Sequence, residues 1–137
     1  MITSKITDLV ISASELSESV ASKSAGAIVV FSGDVRNNDY DRAVTKLTYE
    51  VHPSAEKVLL EIATEVTTRF DVTNVAVAHR YGEIPFGQTA FAVAVSAAHR
   101  GAAFDCCREL VERVKSELPI WKFQEFEDGT SEWVNSA

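Results

Sequence analysis

Two hydrophobic periods alternate along this chain, and the switches between them divide it into strands and helices. Ile2–Ile11 has apolar residues at roughly every second position and predicts a strand. Ser12 followed by Glu15 has capping-box spacing, so a short helix is expected from about Ser14 to Ala21. Gly26–Arg36, GAIVVFSGDVR, is apolar enough to predict a strand buried along most of its length. The polar, turn-forming NNDYDRA at Asn37–Ala43 ends it. Val44–His52 alternates again and predicts the next strand.

Beyond Pro53 the period lengthens. Proline suits a helix start, where its missing N–H would lack an intrahelical partner. Val58, Leu59, Ile62, Ala63, Val66 and Phe70 then form one apolar face of a helix over Ser54–Phe70. Val72–Tyr81 and Thr89–Ala97 predict two strands joined by the turn-rich GEIPFGQ. A second long helix is expected over Ala102–Leu118, with Ala103, Cys107, Leu110, Val111, Val114 and Leu118 on its stripe and Pro119 stopping it. IWKFQEFEDGTSEWV predicts two short strands around an Asp128–Gly129 turn. Short connections between sequential strands favour antiparallel pairing. The class is therefore α+β: a single domain over residues 1–137, mostly antiparallel sheet, with two long helices and one short helix packed on one side of the sheet.

Composition narrows the function classes. With 20 acidic and 13 basic side chains the net charge is −7, and no run of lysine and arginine offsets it, which argues against nucleic-acid binding. The longest apolar stretches, Ala27–Phe31 and Phe91–Val95, are far shorter than the roughly 20 residues a membrane helix needs. The beginning, MITSKITDLVIS, does not read as a signal peptide, so a cytoplasmic location without membrane attachment is expected. Cys106 and Cys107 are adjacent, a strained geometry for a disulfide, and predict reduced thiols. His52, His79 and His99 lack paired ligand spacing, so no metal site is expected.

The candidate chemistry is cationic. Arg36 closes an apolar strand, His99 and Arg100 stand between a strand and a helix, Lys115 falls near that helix's end, and Lys122 follows Pro-Ile-Trp. Arginine presents a planar fork that suits phosphate, and lysine becomes an acid or base once its pKa is lowered. The bland alternatives are solvated strand-end arginines and a lysine complementing a helix dipole. A second His–Arg pair, His79–Arg80, also ends a strand, and the residues by themselves do not decide between the two pairs. No glycine-rich phosphate loop or serine elbow is present.

Four segments together resemble the molybdopterin synthase catalytic (large) subunit family: GAIVVFSGDVRNN, LTYEVHPSAEKVLLEI, VAHRYGEIPFGQTAFAVAVSAAHRGAAFDCCRELVERVK and LPIWKFQEFEDGTSEWV. The resemblance runs from about Gly26 to Val134 and rests on the order and spacing of these motifs. It implies an α/β-hammerhead-type fold and sulfur transfer to cyclic pyranopterin monophosphate (precursor Z), with no cofactor. It also implies a homodimer that binds a small ubiquitin-like subunit ending in a Gly-Gly thiocarboxylate at each end, a heterotetramer overall. By position, Lys115 and Lys122 match the family's catalytic lysines. Asp34, Val35 and Arg36, then His99 and Arg100, then Phe123 and Gln124, match its substrate-binding stretches, which favours His99–Arg100 over His79–Arg80. A rival remains open in which the same fold docks a ubiquitin-like tail as a scaffold without catalysis.

Overall fold

In the computed structural model, which describes residues 1–135, the chain runs β1 (Ile2–Thr7), α1 (Ala13–Val20), β2 (Ala27–Asp34), β3 (Asn38–Asp39), β4 (Arg42–Val51) and α2 (Ala55–Thr67). It continues through β5 (Asn74–Arg80), β6 (Gly82–Glu83), β7 (Thr89–Ala97), α3 (Arg100–Glu117), β8 (Ile120–Phe126) and β9 (Ser131–Val134). The strands form two sheets. One has the order β1-β5-β7-β2, with β1 parallel to β5 and the other pairs antiparallel. The other has the order β3-β4-β8-β9, antiparallel throughout, with β6 also paired to β4. The α+β class and the dominance of antiparallel pairing stand as expected.

The helices do not share one side of the first sheet. In β5 and β7 valine and alanine alternate, and antiparallel register stacks like on like: Val75 on Val95, Ala76 on Ala94, Val77 on Val93, Ala78 on Ala92. Successive strand side chains point to opposite faces. One face is therefore valine, joining Leu59, Ile62 and Val66 of α2 and Leu110 and Val114 of α3 in the main core. The other is alanine, and there α1 packs through Leu16 and Val20, beside Ile11. Small side chains on that face let the short helix approach closely. Leu59 and Leu110 are fully buried, each such side chain contributing roughly 1.5–3 kcal/mol of burial free energy. The main core also takes in Leu47 and Tyr49 of β4 and Ile120 of β8, so both sheets close on it.

Three local expectations shift. The first strand stops at Thr7, and α1 begins at Ala13 under a cap in which the Glu15 N–H donates to Ser12 Oγ at 3.2 Å, worth about 1 kcal/mol. β2 is an edge strand with alternate residues exposed, Ile28 at 41% and Val30 at 40%, rather than buried along its length. The continuously buried strands are the central β5 and β7. Within NNDYDRA the chain makes a tight hairpin between β3 and β4, with positive φ at both Tyr40 and Asp41, the two-residue turn whose twist matches flanking strands. The Asp128–Gly129 turn between β8 and β9 forms as expected, with Gly129 at φ +85°. Among the described residues no helix is long and apolar enough to cross a membrane.

Ala94→Leu places a branched side chain between the alanine face and α1. We expect it to lower stability by about 1–3 kcal/mol, read as a reduced urea midpoint with an unchanged slope. An unmoved midpoint would show that α1 is not packed on that face.

Candidate functional site

The chain reverses sharply at the end of α3, and this reversal builds the site. Pro119 has no N–H to continue the helix and holds Leu118 in extended backbone, ψ 127°. The Leu118 N–H still donates to the Val114 carbonyl at 3.0 Å, and the Pro119 carbonyl accepts from the His52 N–H at 3.1 Å, which starts β8 along β4. Lys115 in the last helical turn and Lys122 in β8 thereby reach one cavity of about 230 Å³. β4 contributes Leu47 and Tyr49 to it, and β7 contributes Ala90 and Phe91. The end of β2 supplies Gly33 and Asp34, followed by Val35 and Arg36, while Gln124, Asn38 and Asp39 complete the rim.

Three cations thus share the cavity with two carboxylates. Both acids are engaged by neutral donors: Asp34 Oδ1 accepts from Ser32 Oγ at 2.6 Å and Thr89 Oγ1 at 2.9 Å, and Asp39 Oδ2 accepts from Gln124 Nε2 at 2.9 Å. Gln124 Nε2 also donates to Glu132 Oε1 at 3.1 Å. Desolvation pushes the Lys115 ammonium below the ordinary lysine range. The charge of Lys122 adds to this, and Glu112 opposes it. A lysine so placed gives up a proton more readily than one in water, and the group of cations suits an anionic ligand.

Behind the cavity wall lies His79, fully buried, stacked on Phe91 at 5.5 Å and edge-on to Tyr49 at 5.0 Å. Its Nδ1 is 2.8 Å from the Arg80 carbonyl, which can only accept, so Nδ1 carries the proton and Nε2 is a buried acceptor with no partner among the described residues. Burial pushes the imidazole down to about 4. The Arg80 hydrogen bond opposes that shift, and Lys115 adds slightly to it.

Of the residues matched through the resemblance, Asp34, Val35, Arg36, Lys115, Lys122 and Gln124 line this one cavity. Phe123 does not line the cavity. Lys122 and Gln124 point inward, so strand alternation turns Phe123 to the opposite face, where it lies 4.7 Å from Trp133. His99 and Arg100 sit at the start of α3, in a separate depression with Gly26 and Ala98. From Arg100 to Lys115 the helix rises about 22 Å, so within one chain this pair and the lysines lie at opposite ends. Tyr49 and Phe91 were missed as wall residues. The alternation of Leu47 and Tyr49 along one strand was a usable signal for the first of them.

Cys106 and Cys107 are both buried free thiols, pushed up to about 12 and about 11 by burial, the opposite of what a nucleophile needs. Among the described residues no group of histidine, cysteine and carboxylate side chains is arranged to hold a metal ion.

Comparison with known proteins matches residues 6–117 to the family described as MoaE protein. Over 117 residues the chain is 44% identical to the molybdopterin synthase catalytic subunit of Neosartorya fischeri, an alignment covering 85% of this chain and 62% of that protein. It is 38% identical over 131 residues to molybdopterin synthase catalytic subunit 1 of Mycobacterium tuberculosis, covering 95% of this chain and 88% of that one. The chain therefore spans less than two thirds of the fungal relative and most of the bacterial one. Among solved structures, molybdopterin synthase from Staphylococcus aureus superposes with a TM-score of 0.86 at 33% identity, covering 94% of each chain.

Two titrations follow from this geometry. Lys122→Gln removes a positive charge beside Lys115, so the Lys115 pKa should rise, followed by the ¹³Cε shift of labelled lysine. An unmoved Lys115 would mean that the two ammonium groups do not sense each other. His79 is held neutral well below its unfolded pKa of 6.5. Below that pH the unfolded chain takes up a proton that the native chain does not, so stability falls as pH drops from 6.5 towards about 4. The loss is about 3 kcal/mol. His79→Phe should lack this component when urea midpoints are compared across that range, and identical pH profiles would refute it.

Proposed function

The chain belongs to the MoaE protein family, and from that premise we propose that it is the catalytic subunit of a molybdopterin synthase. It transfers sulfur from the C-terminal thiocarboxylate of a small ubiquitin-like subunit to cyclic pyranopterin monophosphate, forming the dithiolene of molybdopterin. The observation that carries this reading is the cavity shared by Lys115, Lys122 and Arg36. A thiocarboxylate is already a nucleophile, so the site need not generate one. It must hold two anions, phosphate and thiocarboxylate, close together, and it must move protons as the cyclic phosphate opens and carbon–sulfur bonds form. The buried, unreactive Cys106 and Cys107 suit a reaction whose sulfur arrives on the partner.

In this mechanism Arg36 forks the phosphate, with Asp34, Val35 and Gln124 shaping the pocket around the pterin. Lys122 orients the incoming thiocarboxylate, and its charge together with desolvation keeps Lys115 ready to exchange a proton with the reacting centre. His99 and Arg100 serve the same substrate from a second copy of the chain, since their own helix carries them about 22 Å from Lys115. The working assembly is accordingly a homodimer with a small subunit at each end, in a cytoplasmic setting where both cysteines stay reduced. Phe123 supports β8 from behind rather than touching substrate.

The test mixes the purified chain with thiocarboxylated small subunit and precursor Z and follows dithiolene formation. Lys115→Ala is expected to lower turnover by about 10²–10⁴-fold with an unaltered circular dichroism spectrum. Near-normal turnover by that variant would remove Lys115 from the mechanism. A stable complex with the small subunit and no product from the unaltered chain would favour the scaffold reading.

A further inference from the structure

The His79–Arg80 pair, which the proposed reaction leaves unused, ends β5 beside the cavity, and its two side chains leave opposite faces of the strand. Arg80 is 9% exposed. Its Nη1 donates to Gln88 Oε1 at 2.7 Å, and its Nε is buried with no hydrogen-bond partner among the described residues. Nor does it form an ion pair among them. A guanidinium buried against a neutral amide is a poor way to fill space. Its desolvation is not offset by an opposite charge, and an apolar side chain of similar volume would pack at lower cost.

What the guanidinium holds is a turn. The Gln88 N–H donates to the Pro85 carbonyl at 3.2 Å, and Gly87 sits at φ +84°, a conformation other residues rarely adopt. This turn grips Val35 by both of its backbone groups: the Val35 N–H donates to the Gln88 carbonyl at 2.9 Å, and the Gly87 N–H donates to the Val35 carbonyl at 2.6 Å. The ladder between β2 and β7 has already ended at Asp34, after a register shift. Arg36 is the next residue along and lines the cavity. From the other side, the His79 Nδ1–H bond to the Arg80 carbonyl fixes the strand end that carries the guanidinium.

We infer that Arg80 is a positioning residue for Arg36: by clamping the Gln88 amide it holds the 85–88 turn on Val35, and so sets where the Arg36 guanidinium meets the anionic group of the substrate. The inference rests on the reading that this cavity takes a phosphate-bearing substrate. Because the clamp governs placement of the anion and not proton transfer at Lys115, its loss shows in KM and leaves kcat unchanged.

Steady-state sulfur transfer with the assembled enzyme tests it, beside amide hydrogen exchange at Val35. Gln88→Ala and Arg80→Met are each expected to raise KM for the pterin phosphate about tenfold, the loss of one charge-assisted hydrogen bond, and to speed exchange at Val35. Gln88→Glu keeps an acceptor for Arg80 and should restore KM. In an Arg36→Ala background Gln88→Ala should add nothing. Unchanged KM with faster Val35 exchange, or effects that multiply with Arg36→Ala, would overturn the inference. If the unaltered chain transfers no sulfur, the proposed function fails instead, and a titration with inorganic phosphate followed at the Arg36 Nε–H reads the clamp alone: tenfold weaker binding in Gln88→Ala supports it and equal binding refutes it.

Discussion

The alternation of valine and alanine along β5 and β7 is the constraint on which the rest of this structure depends. With like residues stacked across the pair, the central sheet has one bulky face and one flat one. The bulky face is filled by the two long helices, and the flat face admits only a short helix lying close. A single-residue slip between β5 and β7 would set valine against alanine, so that neither face is uniformly bulky or flat and neither set of helices meets a complementary surface. Fixing α3 on the valine face also fixes its end, and that end delivers Lys115 and, after Pro119, the strand bearing Lys122.

The cavity is thus assembled at a seam. One wall comes from the end of the first sheet, through Phe91 and the segment after β2. The other comes from the second sheet, through Tyr49 and Lys122, with Lys115 contributed by the helix between them. Its carboxylates are held by hydroxyl and amide donors, while desolvation and like charge make Lys115 easier to deprotonate. In the proposed reaction, anion binding and proton exchange would draw on this same arrangement. The buried polar groups at the end of β5 tell a related story: His79 with its orphan Nε2 and Arg80 with its orphan Nε break the rule that buried polar atoms are paired. His79 does so against Tyr49 and Phe91 of the cavity wall, and Arg80 on the opposite face of the same strand end, against Gln88.

Much of this was legible in the chain alone. Period-two and helical spacing located the long helices and most strands, because each pattern reports which face of an element meets apolar surroundings. The Ser12 cap, the Pro119 stop and the Asp128–Gly129 turn are local chemistry and formed as read. The motif order pointed to a cationic set of Arg36, His99, Arg100, Lys115 and Lys122; Arg36, Lys115 and Lys122 line one cavity, and His99 and Arg100 lie in another depression.

What the sequence could not decide depends on neighbours distant along the chain. Whether an apolar strand is central or at an edge is set by which strands flank it, so GAIVVFSGDVR read as buried and proved half exposed. The split into two sheets and the covering of both faces of one of them follow from pairings dozens of residues apart. Phe123 and Gln124 are neighbours in sequence, but the pleat sends them to opposite faces. The two His–Arg pairs, alike as text, ended as a buried pair closing β5 in one case and a surface pair at the far end of α3 in the other. Local patterns are written residue by residue and can be read so, whereas convergence in space is a property of the register and packing that only the folded chain possesses.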